Sequence, residues 1–196
     1  SRTTKNVKTM IKSWKRKQSR LLQKTRILDF CEATDISPYT EKEHCFVFID
    51  SLKWVNLVPI TEQHEIVMIR QYRHGSQRVT LEIPGGMVDA GEEPRKAAVR
   101  ECQEETGYIV KELHSLGELN PNPALFNNRL HTFYGYVSEY RAKAHHSETE
   151  KTEVELIEMS RLKTFLLDST IDHALVCATL WRFLDRWEKE RLSRVR

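Results

Sequence analysis

The segment GGMVDAGEEPRKAAVRECQEETGY, from Gly85 to Tyr108, constrains the fold more than any other part of the chain. Pro94 suits the first turn of a helix, where its missing backbone N–H needs no partner. Gly107 suits the left-handed position that ends a helix. The segment therefore predicts a helix of about 13 residues between these two positions.

Three glutamates, Glu101, Glu104 and Glu105, lie close together near the end of this helix. On a helical wheel they fall within an arc about 100° wide. Because like charges at this spacing repel by roughly 0.2–0.5 kcal/mol per pair, a positive group is expected between them. Carboxylates are ligands that Mg²⁺ or Mn²⁺ prefers, and backbone carbonyls of the Gly85-Gly86 loop can join them. An ordinary solvated acidic surface is the alternative.

The rest of the chain alternates between strand-like and helix-like patterns of apolar residues. Strands are expected over residues 26–34, 44–60, 65–73, 78–86, 109–119, 130–139 and 154–159. A long amphipathic helix is expected from about Asp172 onwards. Strands and few helices in this order indicate a mixed sheet packed between helices, an α/β or α+β sandwich.

The start of the chain is strongly basic, since residues 1–28 carry ten Lys/Arg and no Asp/Glu. Apolar residues recur there at near-helical spacing: Val7, Met10, Ile11, Trp14, Leu21 and Leu22. This spacing predicts a basic amphipathic helical segment over residues 1–25, followed by a domain over residues 26–196. The helix could dock on the acidic body or on a partner subunit, or bind nucleic acid or anionic lipid, or be disordered.

The composition indicates a water-soluble protein, with 39% hydrophobic and 30% charged residues. No apolar run approaches the roughly 18 residues of a membrane span, and no signal-peptide pattern begins the chain, so we expect a cytoplasmic protein without a membrane partner. The four cysteines show no CxxC spacing, so neither a zinc site nor a disulfide framework is expected.

The spacing of Gly86, Glu92 and the run from Arg100 to Tyr108 resembles the signature of the Nudix hydrolases, G-x5-E-x7-R-E-U-x-E-E-x-G-U, where U is aliphatic. All fixed Gly, Glu and Arg positions agree, and the departures are Cys102 and Tyr108 at the two U positions. Both residues are apolar enough to pack.

The order of elements around this signature is similar to the α/β/α sandwich of the family and extends the resemblance over roughly residues 45–190. Within the family, Gln71-Tyr72-Arg73 and the run Leu81 to Gly86 resemble the branch that hydrolyses ADP-ribose and other nucleoside diphosphate sugars. Asn-Pro-Asn-Pro-Ala at residues 120–124 departs from the Ser-Pro-Gly usual in that branch.

The resemblance implies metal-dependent hydrolysis of a pyrophosphate bond, with Mg²⁺ or Mn²⁺ as cofactor. By this resemblance the Gly85 carbonyl, Glu101 and Glu105 coordinate the cations, with Glu104 in the same cluster. The remaining signature positions have structural roles: Gly86, Glu92, Arg100 and Gly107. Arg100 is expected to anchor the segment through Glu92 rather than to touch substrate.

The branch also places a glutamate base on a loop well after the signature. That loop here is HHSETEKTE, which offers Glu148, Glu150 and Glu153. Glu150 is the first candidate, because it lies a few residues before the expected strand 154–159. His145 and His146 are alternative acids or bases.

The implied substrate is a small nucleotide. Arg73 suits a phosphate, and Trp54, Tyr72 or Phe126 could stack on a base, although each aromatic could equally belong to the core. The branch commonly forms homodimers in which N-terminal strands complete the partner's site, so residues 26–60 are expected to contribute in trans.

Two rival functions remain at the level of sequence. A pyrophosphohydrolase of RNA 5′ ends or of dinucleoside polyphosphates would use the basic start of the chain to bind nucleic acid. A nucleotide-binding domain without catalysis is the second rival, since a fold alone does not fix a function.

Overall fold

The structure, a computed structural model, describes residues 10–141 and 151–194. The chain divides into two compact units. Of the described residues, the first unit contains 10–51 and 122–127, and the second contains 52–121, 128–141 and 151–194. The chain therefore enters the first unit twice.

The first unit is an antiparallel sheet in the order β1 (Lys15–Lys24), β2 (Leu28–Ile36) and β3 (Glu43–Ser51). Segment 122–127 lies along the other edge of β3, where the N–H of Ile49 donates to the carbonyl of Leu125 at 2.7 Å. Phe126 forms a parallel bridge with Ile49. Phe126 thus belongs to the first unit.

The basic amphipathic helix predicted over residues 1–25 is wrong for Lys15–Lys24, which forms strand β1. Residues 1–9, with Val7, lie outside the described residues. A short helix without a surface for its apolar stripe is marginal in water, whereas a strand gains a backbone ladder with its neighbour. That neighbour, β2, is a different segment of the chain, which the periodicity of residues 1–25 does not report.

Ion pairs tie the basic side chains of β1 to acidic residues of the same sheet. They join Arg16 to Asp35 at 2.9 Å, Lys17 to Glu43 at 2.5 Å, and Arg20 to Glu32 at 2.8 Å. The positive charge at the start of the chain is therefore partly compensated within the first unit.

The second unit is built on a mixed sheet with three helices among its described residues. Its strands are β4 (Trp54–Ile60), β5 (Glu65–Arg73), β6 (Arg78–Glu82), β7 (Gly85–Met87), β8 (Tyr108–Leu119), β9 (Leu130–Arg141) and β10 (Thr152–Glu158). Its helices are α1 (Pro94–Thr106), α2 (Met159–Leu167) and α3 (Ala174–Arg194). The main path of the sheet runs β10-β5-β4-β9-β8, with β6 paired to β5 and β7 to β4. The sheet is mixed because β4 and β9 run parallel and the other pairs are antiparallel.

Helices cover both faces of this sheet. Ile66 and Met68 of β5 pack into an apolar cluster with α2 and α3, and the intervening Val67 packs into a second cluster with α1. Since successive residues of a strand point to opposite faces, α1 lies on one side of the sheet and α2 and α3 lie on the other. The predicted sandwich with a mixed sheet is confirmed.

Helix α1 has the ends that its sequence predicts. Pro94 occupies its first turn. Gly107 adopts the left-handed conformation with φ of 74°, and its N–H donates to the carbonyl of Gln103. The left-handed cap turns the chain directly into β8 and fixes the glutamates in the last turns of α1.

Several element boundaries differ from the sequence prediction. The expected strand 44–60 is two strands, β3 and β4, which belong to different units. The expected strand 78–86 is interrupted before Gly85, because Pro84 has no N–H for a ladder. Helix α2 was not predicted, since it follows β10 without a turn signal.

Two further observations concern the whole described chain. None of its described helices combines the length and the apolar character that a membrane span requires. All four cysteines, Cys31, Cys45, Cys102 and Cys177, fall within the described ranges and are free thiols.

Candidate active site

Two glutamates of α1 lie against the glycine pair of β7. The N–H of Gly85 donates to Oε2 of Glu105 at 3.0 Å. A Cβ placed on Gly86 would lie 2.4 Å from Oε1 of Glu101. Real side chains do not approach so closely, so a side chain at this position would displace the Glu101 carboxylate from its present place. The glycine pair therefore lets helix and strand bring backbone and carboxylates together.

Arg100 is the positive group that lies among the glutamates of α1. Its Nη1 donates to Oε1 of Glu101 at 2.9 Å and to Oε2 of Glu104 at 3.1 Å. Its Nε and Nη2 donate to the two carboxylate oxygens of Glu92 at 3.1 and 3.0 Å. This two-pronged contact fixes the plane of the guanidinium.

The loop between β7 and α1 is held by the same group. Nη2 of Arg100 donates to the carbonyl of Met87 at 3.0 Å, and Oε2 of Glu92 accepts from the N–H of Asp89 at 3.1 Å. The hydrogen bond from Arg100 lowers the pKa of Glu92, and burial opposes this effect. The hydrogen bond to Glu92 raises the pKa of Arg100. Glu92 therefore stays ionised at neutral pH.

Cys102 stands where the signature has an aliphatic residue, and it behaves as one. Its side chain is buried in the cluster that joins α1 to the sheet. Burial raises the pKa of its thiol to about 12, so the group is neutral at physiological pH. The departure from the signature leaves the packing of α1 intact.

Arg73, the residue expected to bind phosphate, contacts a buried carboxylate. Its Nε and Nη2 donate to the two carboxylate oxygens of Glu82 at 2.8 and 2.7 Å. The hydroxyl of Thr80 donates to the same carboxylate at 2.6 Å. Burial raises the pKa of Glu82, but the hydrogen bonds from Arg73 and Thr80 lower it, and the net direction is down. Glu82 is not among the predicted site residues, although a single charge in the apolar run Leu81 to Pro84 signals that it needs a partner.

Only one of the three predicted loop glutamates lies among the described residues. Glu148 and Glu150, with His145 and His146, lie outside the described residues. Glu153, expected on the loop, lies instead on strand β10.

Strand geometry separates Glu153 from the carboxylates of α1. The flanking Val154 packs with the α1 cluster, and the hydroxyl of Thr152 donates to the carbonyl of Glu105 at 2.7 Å. Since side chains alternate along a strand, Glu153 faces the side of the sheet away from α1. It is opposite Arg70 in the register of β10 and β5.

The three aromatic candidates do not form one binding surface within the second unit. Tyr72 is exposed and contacts the ring of His74 edge-on, at 5.1 Å between centroids. It faces the opposite side of β5 from Arg73, because the two residues are adjacent on a strand. Trp54 is partly buried at the start of β4, opposite Met87.

The described carboxylates of α1 direct oxygens to protein partners. Among residues 10–141 and 151–194, no group of three or more His, Cys, Asp or Glu side chains is spaced to hold a metal ion. Glu101 and Glu104 instead direct an oxygen to Arg100, and Glu105 directs one to the backbone. A cleft of about 750 Å³ between α1 and β8 is lined by Glu92, Arg100 and Glu104, but neither Glu101 nor Glu105 lines it.

Comparison with known proteins agrees with this geometry. A family model described as NUDIX domain matches residues 51–175. The ADP-ribose pyrophosphatase of Bacillus subtilis is 35% identical over 79 residues, which are 40% of this chain and 43% of that protein. The methanol dehydrogenase activator of Bacillus methanolicus is 33% identical over 108 residues, 54% of this chain and 57% of that protein. The chain thus spans about half the length of the curated relatives it matches.

A solved structure shares the fold. The crystal structure of an ADP compounds hydrolase superposes with a TM-score of 0.79, at 18% sequence identity, over 93% of this chain and 98% of that one. At this identity the similarity concerns the fold alone.

The contact between Glu92 and Arg100 predicts a pH dependence of stability. A carboxyl group with a lowered pKa in the folded state stabilises that state above its unfolded pKa of about 4.3, and the contribution is lost as pH falls through the folded value. The free energy of unfolding, measured by urea titration from pH 6 down to about pH 3, should therefore fall more in the wild type than in Glu92→Gln.

Glu62→Gln is the matched control, because Glu62 forms an exposed ion pair with Lys111. We expect its pH dependence to follow that of the wild type. Parallel curves for the wild type and Glu92→Gln would contradict the role given to this contact.

Proposed function

The chain belongs to the Nudix family, and on that premise we propose that it hydrolyses the pyrophosphate bond of a nucleoside diphosphate sugar such as ADP-ribose, giving a nucleoside monophosphate and a sugar phosphate. The observation that carries the proposal is the packing of Glu101 and Glu105 of α1 against Gly86 and Gly85 of β7. This packing gathers carboxylates and a bare backbone on rigid elements, as a site for phosphate and cations requires.

We propose that Mg²⁺ or Mn²⁺ is held by Glu101, Glu104, Glu105 and the carbonyl of Gly85. The donors fit such a cation, since all four offer hard oxygen atoms and none is a thiolate or an imidazole. When bound, the cation neutralises phosphate charge and lowers the pKa of the attacking water. Arg100 holds the carboxylates on one side of α1 and Glu92 holds Arg100.

Arg73 is the residue that we assign to the diphosphate. Its guanidinium is a planar fork of N–H donors that suits a phosphate, and its side chain is 41% exposed. Binding of both phosphates between a cation site and a guanidinium favours attack at phosphorus, because charge that develops on phosphoryl oxygens is stabilised there. The glycosidic carbon gains nothing from these contacts.

Glu150 is the residue that we assign as the base that takes a proton from the attacking water. It precedes Thr152 by two residues, and Thr152 donates to the carbonyl of Glu105 at the end of α1. Glu153 is a weaker candidate than its position in the sequence suggests, since β10 directs it away from α1.

The rival functions receive less support. Arg16, Lys17 and Arg20 of the basic segment are engaged with acidic side chains of their own unit, which reduces the charge available for RNA. A domain that binds nucleotides without hydrolysis would not need all three glutamates of α1, and all three are present.

We also propose that the protein is a homodimer through the sheet of the first unit. Every residue of β1 is exposed, and Leu21 and Leu22 are 54% and 46% exposed. Phe46 and Val47 of β3 are exposed as well. Three basic side chains of β1 are paired within this sheet, and several of its apolar side chains face solvent, so the sheet suits contact with a second copy of itself.

The reaction predicts its products. With ADP-ribose and Mg²⁺ we expect AMP and ribose 5-phosphate, and in ¹⁸O-water the label should appear on one of the two phosphates. Mass spectrometry of both products makes the measurement. Release of adenine or of an unphosphorylated sugar would refute the proposal. Turnover of capped or triphosphorylated RNA without turnover of any sugar nucleotide would favour the first rival.

Substitutions of Glu105 and Glu150 should have different effects on metal binding. We expect Glu105→Gln to lower kcat by about 10²–10⁴-fold and to weaken Mn²⁺ binding, while glutamine still accepts the hydrogen bond from Gly85. Glu150→Gln should lower kcat without changing Mn²⁺ affinity. Glu188→Gln, an exposed glutamate of α3, is the control and should stay within about threefold of the wild type. Wild-type activity of Glu105→Gln, or loss of its thermal transition, would contradict the assignment.

The dimer should depend on the exposed leucines of β1. By light scattering after gel filtration, we expect the wild type at twice the mass of the chain, and at least one of Leu21→Glu and Leu22→Glu at the mass of one chain. Leu167→Glu, which adds a charge at an exposed leucine of the second unit, should remain dimeric. A monomeric wild type, or two dimeric β1 variants, would exclude this interface.

A further inference from the structure

Glu82 is a buried carboxylate in an apolar part of the sheet. Its side chain is 3% exposed, and the buried Ile69 lies opposite it in the register of β5 and β6. An ionised group at this depth is costly unless it is paired and hydrogen-bonded. An apolar side chain would fill this position without a desolvation cost, so packing alone does not explain the carboxylate.

The partners of Glu82 satisfy both of its oxygens. Arg73 donates to one oxygen at 2.8 Å and to the other at 2.7 Å, and Thr80 adds a third donor at 2.6 Å. Nε2 of His173, directly before α3, lies 4.0 Å from the second oxygen. These contacts keep the carboxylate ionised and fix its orientation.

The fixed carboxylate of Glu82 restricts the orientation of the Arg73 side chain. An arginine side chain has several rotatable bonds, and a two-pronged contact with a rigid carboxylate fixes the plane of its guanidinium. One edge of that plane faces the buried Glu82, and the side chain as a whole remains 41% exposed. The exposed part of the group is thereby held in one direction before any ligand arrives.

We propose that Glu82 is a positioning residue, which holds the Arg73 guanidinium in the orientation that binds the diphosphate of the substrate. The inference rests on the proposed function, in which Arg73 contacts the diphosphate. Glu82 acts through Arg73 and makes no contact with substrate itself. A bound anion then meets a donor that has already lost its rotational freedom, which lowers the entropic cost of binding.

The same device occurs a second time in the second unit, where Glu92 holds Arg100 through Nε and Nη2. The ion pair between Arg70 and Glu155 differs from both. It is a single contact, from Nε to Oε2 at 2.5 Å, and its two side chains are 41% and 33% exposed. Glu155 therefore provides a matched control on a neighbouring strand, with the same residue types and no buried carboxylate.

The test is the kinetics of Glu82→Gln with ADP-ribose and Mg²⁺. We expect KM to rise by about 10-fold or more while kcat changes by less than about threefold, because glutamine keeps the volume but lacks the second acceptor for the fork. Mn²⁺ affinity should be unchanged. Glu155→Gln should keep wild-type KM and kcat.

A double variant distinguishes positioning from a general loss of structure. If Glu82 acts through Arg73, the KM of Arg73→Gln/Glu82→Gln should equal that of Arg73→Gln, whereas independent effects would multiply. Arg73→Lys keeps a cation beside Glu82 without the fork, and we expect it to fold and to raise KM to a similar extent. It serves as the measurement if Glu82→Gln does not fold.

The outcomes are distinguishable from those of the proposed function. Wild-type KM in Glu82→Gln or in Arg73→Lys, with active wild-type enzyme, overturns this inference alone. A KM of the double variant that equals the product of the two single effects overturns the inference as well. No turnover of any sugar nucleotide by the wild type overturns the proposed function, and this inference with it.

Discussion

The organisation of the second unit depends on the guanidinium of Arg100. One planar group joins the side chains of Glu92, Glu101 and Glu104 to the carbonyl of Met87. Without a positive charge at this point, three carboxylates near the end of α1 would repel each other. Because lysine offers a point charge rather than a fork, it could not hold the loop and the helix together in the same way. The glutamates can be concentrated on one helix because this group balances them.

Local signals predicted the elements that depend on local chemistry. Helix α1 begins at Pro94 and is capped by Gly107, as the rules for helix ends require, and the apolar run 65–73 forms β5 over the same residues. The spacing of the signature, from Gly86 through Glu92 to the glutamates of α1, identified the family, and the model match to residues 51–175 confirms it.

Contacts between distant segments decided the elements that the sequence prediction missed. Strand β1 exists because β2 supplies a backbone ladder, and both β2 and β3 supply acidic partners. No periodicity within residues 1–25 reports these contacts. The face on which Glu153 lies follows from the pairing of β10 with β5 and from the bond between Thr152 and α1. Glu82 was overlooked for the same reason, since its meaning depends on Arg73 of the adjacent strand.

The discontinuity of the first unit has a practical consequence for dissecting the protein. The chain passes between the two units after Ser51, before Asn122 and after Asn127. A fragment that ends at Ser51 would lose the segment whose carbonyl at Leu125 accepts from Ile49, so β3 would be left with an unpaired edge and a tendency to aggregate. A fragment that begins at Leu52 would contain residues 122–127 without the strand β3 that they contact. Limited proteolysis or gene truncation at one site therefore cannot yield either unit intact, and independent expression would need the two pieces of the first unit to be fused by a designed linker.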